Sequence, residues 1–384
     1  MKPTTVSSAL PAASATTSAT AVDTPAAASP RHRPPGTRAR AATSDFAALK
    51  RLVLDAGLME KTPVFYWVMT SVLLAALGGC VAGFILLGDS WFQLLIAAAF
   101  GIVFTQLSFL GHEAVHKQIF TSHRVSDWYG LITGNLIVGL SIGWWTQKHN
   151  RHHANPNTKG KDPDIYDPVV AFTPEQAQAR TGLAREFTKR QGYLFFPLLL
   201  LEGLNLYRDA ILTVLTRRKL KNRTAEIVLL SIRLIAVPAL VLWHLPPGMA
   251  FAFLGVQVAV WGFYMGASFA PNHKGMPQLE NRSTLNFLLR QVTTSRNIVG
   301  NTFNTYLMGG LNYQIEHHLF PSMPRPHLKK AQRIVREFCA ERDIRYTEVT
   351  LVQSYGAVVD YLNRVGIRAR DPFECPMAGT GRAI

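Results

Sequence analysis

The chain has 384 residues, 48% of them hydrophobic, with a formal net charge of +16 and a pI near 10.0. The apolar residues gather in long runs, which fits a membrane protein with a large basic face and argues against two or three soluble domains. No stacking platform or base-reading motif accompanies the charge, so nucleic acid is not an expected partner.

Residues 1–44 are Ala, Ser, Thr and Pro with a basic patch at Arg31 to Arg40 and no continuous apolar core, the composition of a disordered tail and not of a secretory signal. Two apolar stretches follow, 64–87 and 92–110, each long enough to cross roughly 30 Å of hydrocarbon as a helix. Gly88-Asp89-Ser90-Trp91 between them forms a hairpin tip. A second pair, 227–245 and 249–270, is joined by Pro246-Pro247-Gly248, which predicts four transmembrane helices. Both tips lack Lys and Arg, whereas the tail, the region from Lys117 to Arg223 and the region after Lys274 are rich in them. The positive-inside rule therefore places both termini in the cytoplasm, at the inner membrane if the cell is bacterial.

Between the hairpins lie two more apolar stretches, Trp128 to Trp145, broken by four glycines, and Tyr193 to Leu206, interrupted by Pro197, Glu202 and Asn205. A crossing at the first would strand His149, His152 and His153 opposite His112, so both are read as membrane-surface or partly embedded helices. Arg233, inside the third span, is expected to snorkel to its cytoplasmic end. The basic runs Arg185 to Arg190 and Arg217 to Arg223 follow the positive-inside bias and are also able to attract anionic headgroups or an acidic electron donor. After residue 330 comes a helical C-terminal part, with helices at Pro326 to Glu341 and Val352 to Val365. Cys80, Cys339 and Cys375 are far apart, which suggests neither a disulfide framework nor a thiolate metal site.

Eight of the 12 histidines fall on one predicted side of the membrane: His112 and His116; His149, His152 and His153; His317 and His318, led by Gln314; and His273 alone. The i,i+3 and i,i+4 spacings gather each cluster on one helix face, and neutral imidazole is the commonest ligand for transition metals. Eight are more than one zinc ion uses, so the pattern points to a two-metal site. His112-Glu113-Ala114-Val115-His116 also matches HExxH, the zinc motif of metalloproteases, including those that work within membranes. That chemistry needs one further ligand and leaves five histidines without a purpose.

GHEAVH at Gly111 to His116, KHNRHH at Lys148 to His153 and QIEHHLFP at Gln314 to Pro321 resemble the three histidine boxes of the membrane fatty acid desaturases. The resemblance covers roughly 65–330, including Asp162-Pro163-Asp164, and sets a desaturase domain at 45–330. It implies an all-α integral membrane protein whose four transmembrane helices carry a cytoplasmic helical cap holding a histidine-rich diiron site. It also implies O2 as co-substrate and an acyl lipid or acyl-CoA whose adjacent methylenes each lose a hydrogen.

Carried over residue by residue, the likeness makes His112, His116, His149, His152, His153, His317 and His318 the iron ligands, with His273 as the histidine after the last span. Gln314 stands where many members have histidine and resembles the front-end desaturases; it binds iron, holds a water or only hydrogen-bonds. Glu113, Asp162, Asp164 and Glu316 are candidates for accepting a ligand's outer N–H. With no HPGG haem motif in the chain, electrons are expected from a separate ferredoxin or cytochrome-type donor with its reductase. Related hydroxylases or ketolases acting on lipids or carotenoids, and a lipid carrier without turnover, are the alternatives.

Overall fold

The computed structural model describes residues 35–217 and 219–367, with side-chain surroundings from residue 45 onward. The expected tail lies outside the described residues as far as 34, but its last ten residues are already helical, as the first turns of α1 (Pro35–Asp55). Alanine and arginine in TRARAA are strong helix formers, which explains a start earlier than composition suggested.

Two hairpins form the membrane part. In the first, α2 (Pro63–Leu87) leads to α3 (Gln93–Val115); in the second, α10 (Arg223–Ser231) and α11 (Val237–His244) lead to α12 (Pro247–His273). All four spans are apolar and long enough to cross a bilayer. Between the hairpins come α4 (His123–Gly130), α5 (Ile142–Ala154), α6 (Pro174–Gln178), α7 (Gly182–Thr188), α8 (Gln191–Leu198) and α9 (Glu202–Thr216). After them come α13 (Phe287–Thr293), α14 (Thr302–Leu307), α15 (Gln314–Leu319), α16 (Leu328–Ala340) and α17 (Leu351–Ile367). The only ladder among the described residues pairs β1 (Asn297–Val299) in parallel with β2 (Glu348–Thr350).

Two helices overrun their apolar limits, and the overrun positions the site. α3 continues five residues past Leu110 and α12 three past Ala270, so each rises out of the bilayer as an unbroken rod carrying histidines on its last turn. These two helices pack extensively along their length, with Val260 against Gly101, where an added Cβ would come within 2.8 Å.

The stretch from Trp128 to Trp145 does not cross. After α4 a π-helical segment, Leu131–Val138, ends at Gly139 with φ +97, and the chain turns back into α5. The left-handed backbone and the nearness of Tyr207, 2.8 Å from any added Cβ, make glycine necessary there. Glu226 of α10 holds the turn, accepting from Asn135 Nδ2 at 3.1 Å, Ser141 Oγ at 2.5 Å and Gly143 N at 3.1 Å. α9 is amphipathic, with Leu204, Ile211 and Leu215 exposed as on a helix lying at a membrane surface.

Arg233 departs from the expectation of snorkelling. It sits in a π-helical stretch, Ile232–Ala236, is buried, and turns inward to donate to the carbonyl of Ile137 at 2.8 Å, to Tyr207 Oη at 3.3 Å and to Gln257 Oε1 at 3.2 Å. The re-entrant segment brings an acceptor to membrane depth, where an arginine with protein partners is better satisfied than by a stretch to the interface.

Candidate metal centre

α3 ends with His112 and its C-cap His116, the last turns of α5 carry His149, His152 and His153, α12 ends on His273, and α15 carries His317 and His318. Ser141 starts α5 by accepting from Trp144 N, which sets the phase that turns the three histidines toward α3. All eight are brought together, in two groups. Ligand nitrogens of His112, His116, His149, His153 and His317 lie within 4.8 Å of one another, and so do those of His152, His273 and His318. Of the other histidines, His123, His244 and His327 join neither group, and His32 is outside the described residues.

The donor set fits a metal and does not fit hydrogen bonding alone. His149 Nε2 lies 3.1 Å from His112 Nε2, 2.9 Å from His116 Nε2 and 2.9 Å from His153 Nε2, while a ring nitrogen has only one proton or one lone pair to offer. Imidazoles bound at about 2.0–2.1 Å around one ion stand roughly 2.9–3.4 Å apart, the spacing found here. Burial, with the neighbouring imidazoles, holds His149, His153 and His318 well below the usual histidine pKa, and so in the neutral form that ligates.

In the smaller group each ring is fixed from outside. His152 Nδ1 meets both oxygens of Asp162 at 3.0 Å, His273 Nδ1 donates to the carbonyl of Thr294 at 3.0 Å, and His318 Nδ1 donates to Gln291 Oε1 at 2.9 Å. Each bond puts the proton on Nδ1 and leaves an Nε2 lone pair facing inward. For His152, burial lowers the pKa, but the Asp162 and Asp164 carboxylates outweigh it and raise the ring's basicity. Asp162 is itself braced by Asn157 N at 2.7 Å and Asp164 N at 2.9 Å. Asp164 lies 3.4 Å from His152 Nδ1 and 3.2 Å from Lys148 Nζ.

Glu113 and Glu316 touch no ligand nitrogen. Arg325 takes both oxygens of Glu113, at 2.6 and 2.8 Å, in a pair only 2% exposed on each side. The glutamate of HExxH is thereby turned away from the histidines it would serve as a base. Glu316 accepts from Asn297 Nδ2 and Tyr346 Oη at 2.7 Å each, and burial pushes its pKa up to about 7. Gln314 lies at the edge of the smaller group, its Nε2 2.9 Å from His273 Nε2 and its Oε1 bonded by Asn272 Nδ2 at 3.2 Å.

Gln291, Thr294 and Arg325 escaped the sequence reading. They come from ordinary segments, α13 and the loop before α16, and nothing local marks residues whose role is set by contacts spanning 21 to 212 positions.

A cavity of about 340 Å³ runs up to both groups, walled by Trp145, Phe195, Leu199, Met265 and Phe269, with Lys148, Asp164, Glu202 and Lys274 among its polar lining. Trp145 stacks on His149 with ring centroids 4.2 Å apart and closes the inner end together with Met265 and Phe269.

The description "Fatty acid desaturase" belongs to the family whose pattern matches residues 89–350. The chain is 30% identical over 345 residues to a Delta(8)-fatty-acid desaturase of Helianthus annuus, covering 85% of this chain and 74% of that protein. It is 28% identical to an acyl-lipid (9-3)-desaturase of Physcomitrium patens, with 85% and 63% covered, and 28% identical to a Delta 8-(E)-sphingolipid desaturase of Kluyveromyces lactis, with 76% and 54% covered. An apolar cavity leading to two buried histidine groups on four membrane-length helices is the frame of such an oxidoreductase, and the chain belongs to the fatty acid desaturase family.

Proposed function

We propose that His112, His116, His149, His153 and His317 would hold one iron and His152, His273 and His318 a second, and that the protein is an acyl-chain desaturase whose substrate lies in the 340 Å³ cavity. The observation that carries this is the convergence of eight imidazoles, their ligand nitrogens at metal-ligand spacing, at one end of a largely apolar-walled cavity. Iron, when bound, supplies the dioxygen chemistry that unactivated C–H bonds require and acid–base groups cannot provide.

The chain's own residues do the rest. Asp162, Thr294 and Gln291 fix the tautomers of His152, His273 and His318. Trp145, Met265 and Phe269 shape the inner end and exclude water from the reacting carbons. Gln314 Nε2 meets the one lone pair that His273 Nε2 has to give, so that contact would give way when His273 binds iron, and the eight histidines remain the ligand set. Per double bond, one O2, two hydrogens from the chain, two electrons and two protons become two waters. Those electrons come from a separate ferredoxin or cytochrome-type donor.

The basic segments on the side of the site support a cytoplasmic location for that side and for both termini. Domain limits follow as a 45–330 desaturase domain and a helical C-terminal part in which α16 and α17 close the cap. The relatives' names include acyl-lipid and sphingolipid desaturases, which makes a lipid-borne acyl chain the first substrate to test. Expression in a host lacking polyunsaturated lipids, with mass spectrometry of double-bond positions, should reveal a new unsaturated chain. His152→Ala and His317→Ala should abolish it and lower bound iron while the protein stays membrane-inserted. Unchanged product in both variants would overturn the ligand set, and an oxygenated product would mark a hydroxylase.

A further inference from the structure

We infer that electrons reach the metal centre through the surface over Gln291, and that Arg151, Lys161, Arg282 and Arg290 form there the docking site for a small acidic one-electron carrier protein. The inference rests on the desaturase reading above and adds to it a place and a partner chemistry. Gln291 is fully buried and touches both histidine groups: its Nε2 donates to the carbonyl of His153 at 2.9 Å, and its Oε1 accepts from His318 Nδ1 at 2.9 Å. Among the described residues it is the one non-ligand side chain shown bonded to a member of each group, and its neighbour in α13, Arg290, is half-buried and reaches the surface.

Around that point the chain gathers four cations. Arg290 Nη1 donates to the carbonyl of Ala154, three residues beyond exposed Arg151, and its Nη2 to the carbonyl of Leu285. Lys161 Nζ donates to the carbonyl of Asn281, beside exposed Arg282, because residues 157–161 run along 279–281 through backbone bonds in both directions between Lys159, Asn157 and Leu279. Among the described residues no ion pair is found for these four. Glu280, two residues before Arg282, and Glu175 are both engaged by Lys159.

A carrier whose exposed cofactor edge is ringed by carboxylates is drawn to such a surface and oriented by it. Two successive dockings, each passing one electron and leaving the carrier oxidised, supply the two electrons a double bond needs.

The test uses the full-length, iron-loaded protein in nanodiscs and a reduced acidic [2Fe–2S] ferredoxin, followed by stopped-flow absorbance of the ferredoxin. Steering predicts a second-order rate that falls steeply with salt, and a drop of at least about tenfold at low salt in Arg151→Glu/Arg282→Glu with bound iron retained. Arg208→Glu/Lys219→Glu, an equal charge change elsewhere, should slow the reaction by less than about twofold. A wild-type rate in the first double variant, an equal loss in the second, or no oxidation of ferredoxin by the wild type would overturn the docking surface. Wild-type protein driven by a small reduced dye separates the two readings: a double bond formed with dye leaves the desaturase reading standing whatever the ferredoxin does. No double bond with dye overturns that reading, and the docking surface with it.

Discussion

Asp162→Asn tests whether the carboxylate beneath His152 matters to the metal or only to the loop. In the structure Asp162 receives the His152 Nδ1 proton on both oxygens at 3.0 Å and is fully buried, so no water replaces a lost bond. Asparagine keeps the shape but retains an acceptor for only one of the amides of Asn157 and Asp164, which donate to different oxygens; it also removes the charge and can present an N–H to the ring. The charge-assisted part of such a bond is worth about 1.5–3 kcal/mol, and loss of a carboxylate behind a ligand histidine costs about 10–100-fold in metal affinity. At about 1.4 kcal/mol per decade the two figures agree. Iron content measured by mass spectrometry during titration with a graded chelator series should therefore show one iron released one to two decades earlier, and the other unchanged. The melting temperature of the metal-free protein should fall only by the loss of one backbone hydrogen bond, about 1–3 kcal/mol, because one of the two amides keeps its acceptor. Wild-type retention of both irons, or a large fall in the metal-free melting temperature, refutes the reasoning.

Arg325→Leu leaves Glu113 charged and alone in a site 2% exposed, which should destabilise the fold by about 3–5 kcal/mol; Glu113→Leu/Arg325→Leu should recover most of that in detergent melts. Burial pushes the Glu202 carboxyl up to about 7, above its unfolded range near 4.5. Its contribution is therefore full below about 4.5 and is lost as pH rises through about 7, so Glu202→Gln should flatten the fall in melting temperature across that window; an unaltered pH profile would exclude Glu202 as the titrating group. Met265 separates the main cavity from a small void beside His112. Met265→Ala should shift preference toward longer acyl chains by about tenfold, read from product profiles on mixed chain lengths.

The legible part of the molecule was the part written in local periodicity. Apolar runs gave four spans to within five residues at every end, and the histidine clusters named seven side chains, with His273 added by the family resemblance, that the fold brings into two groups. What stayed hidden was set by partners distant in sequence. The inward turn of Arg233 depends on a carbonyl 96 residues away, exposed by a π-helical segment that no propensity scale marks. Glu113 looked like a histidine's partner because it sits between two histidines, but on a helix the residue after His112 faces away from it, toward Arg325.

That geometry also explains how one motif serves different chemistries. In HExxH the two histidines share a face, and what the glutamate meets depends on what packs against its side of the helix. Here α16's preceding loop offers Arg325, held by Tyr66 Oη at 3.1 Å through its backbone N–H, so the glutamate becomes a buried tie between α3 and the cap. The same two histidines are thereby free of an adjacent base and surrounded by six more imidazoles from three other helices. With that glutamate bound to Arg325, the motif's own base is withdrawn from its two histidines, which argues against HExxH hydrolysis and fits the oxidative chemistry of the desaturase family.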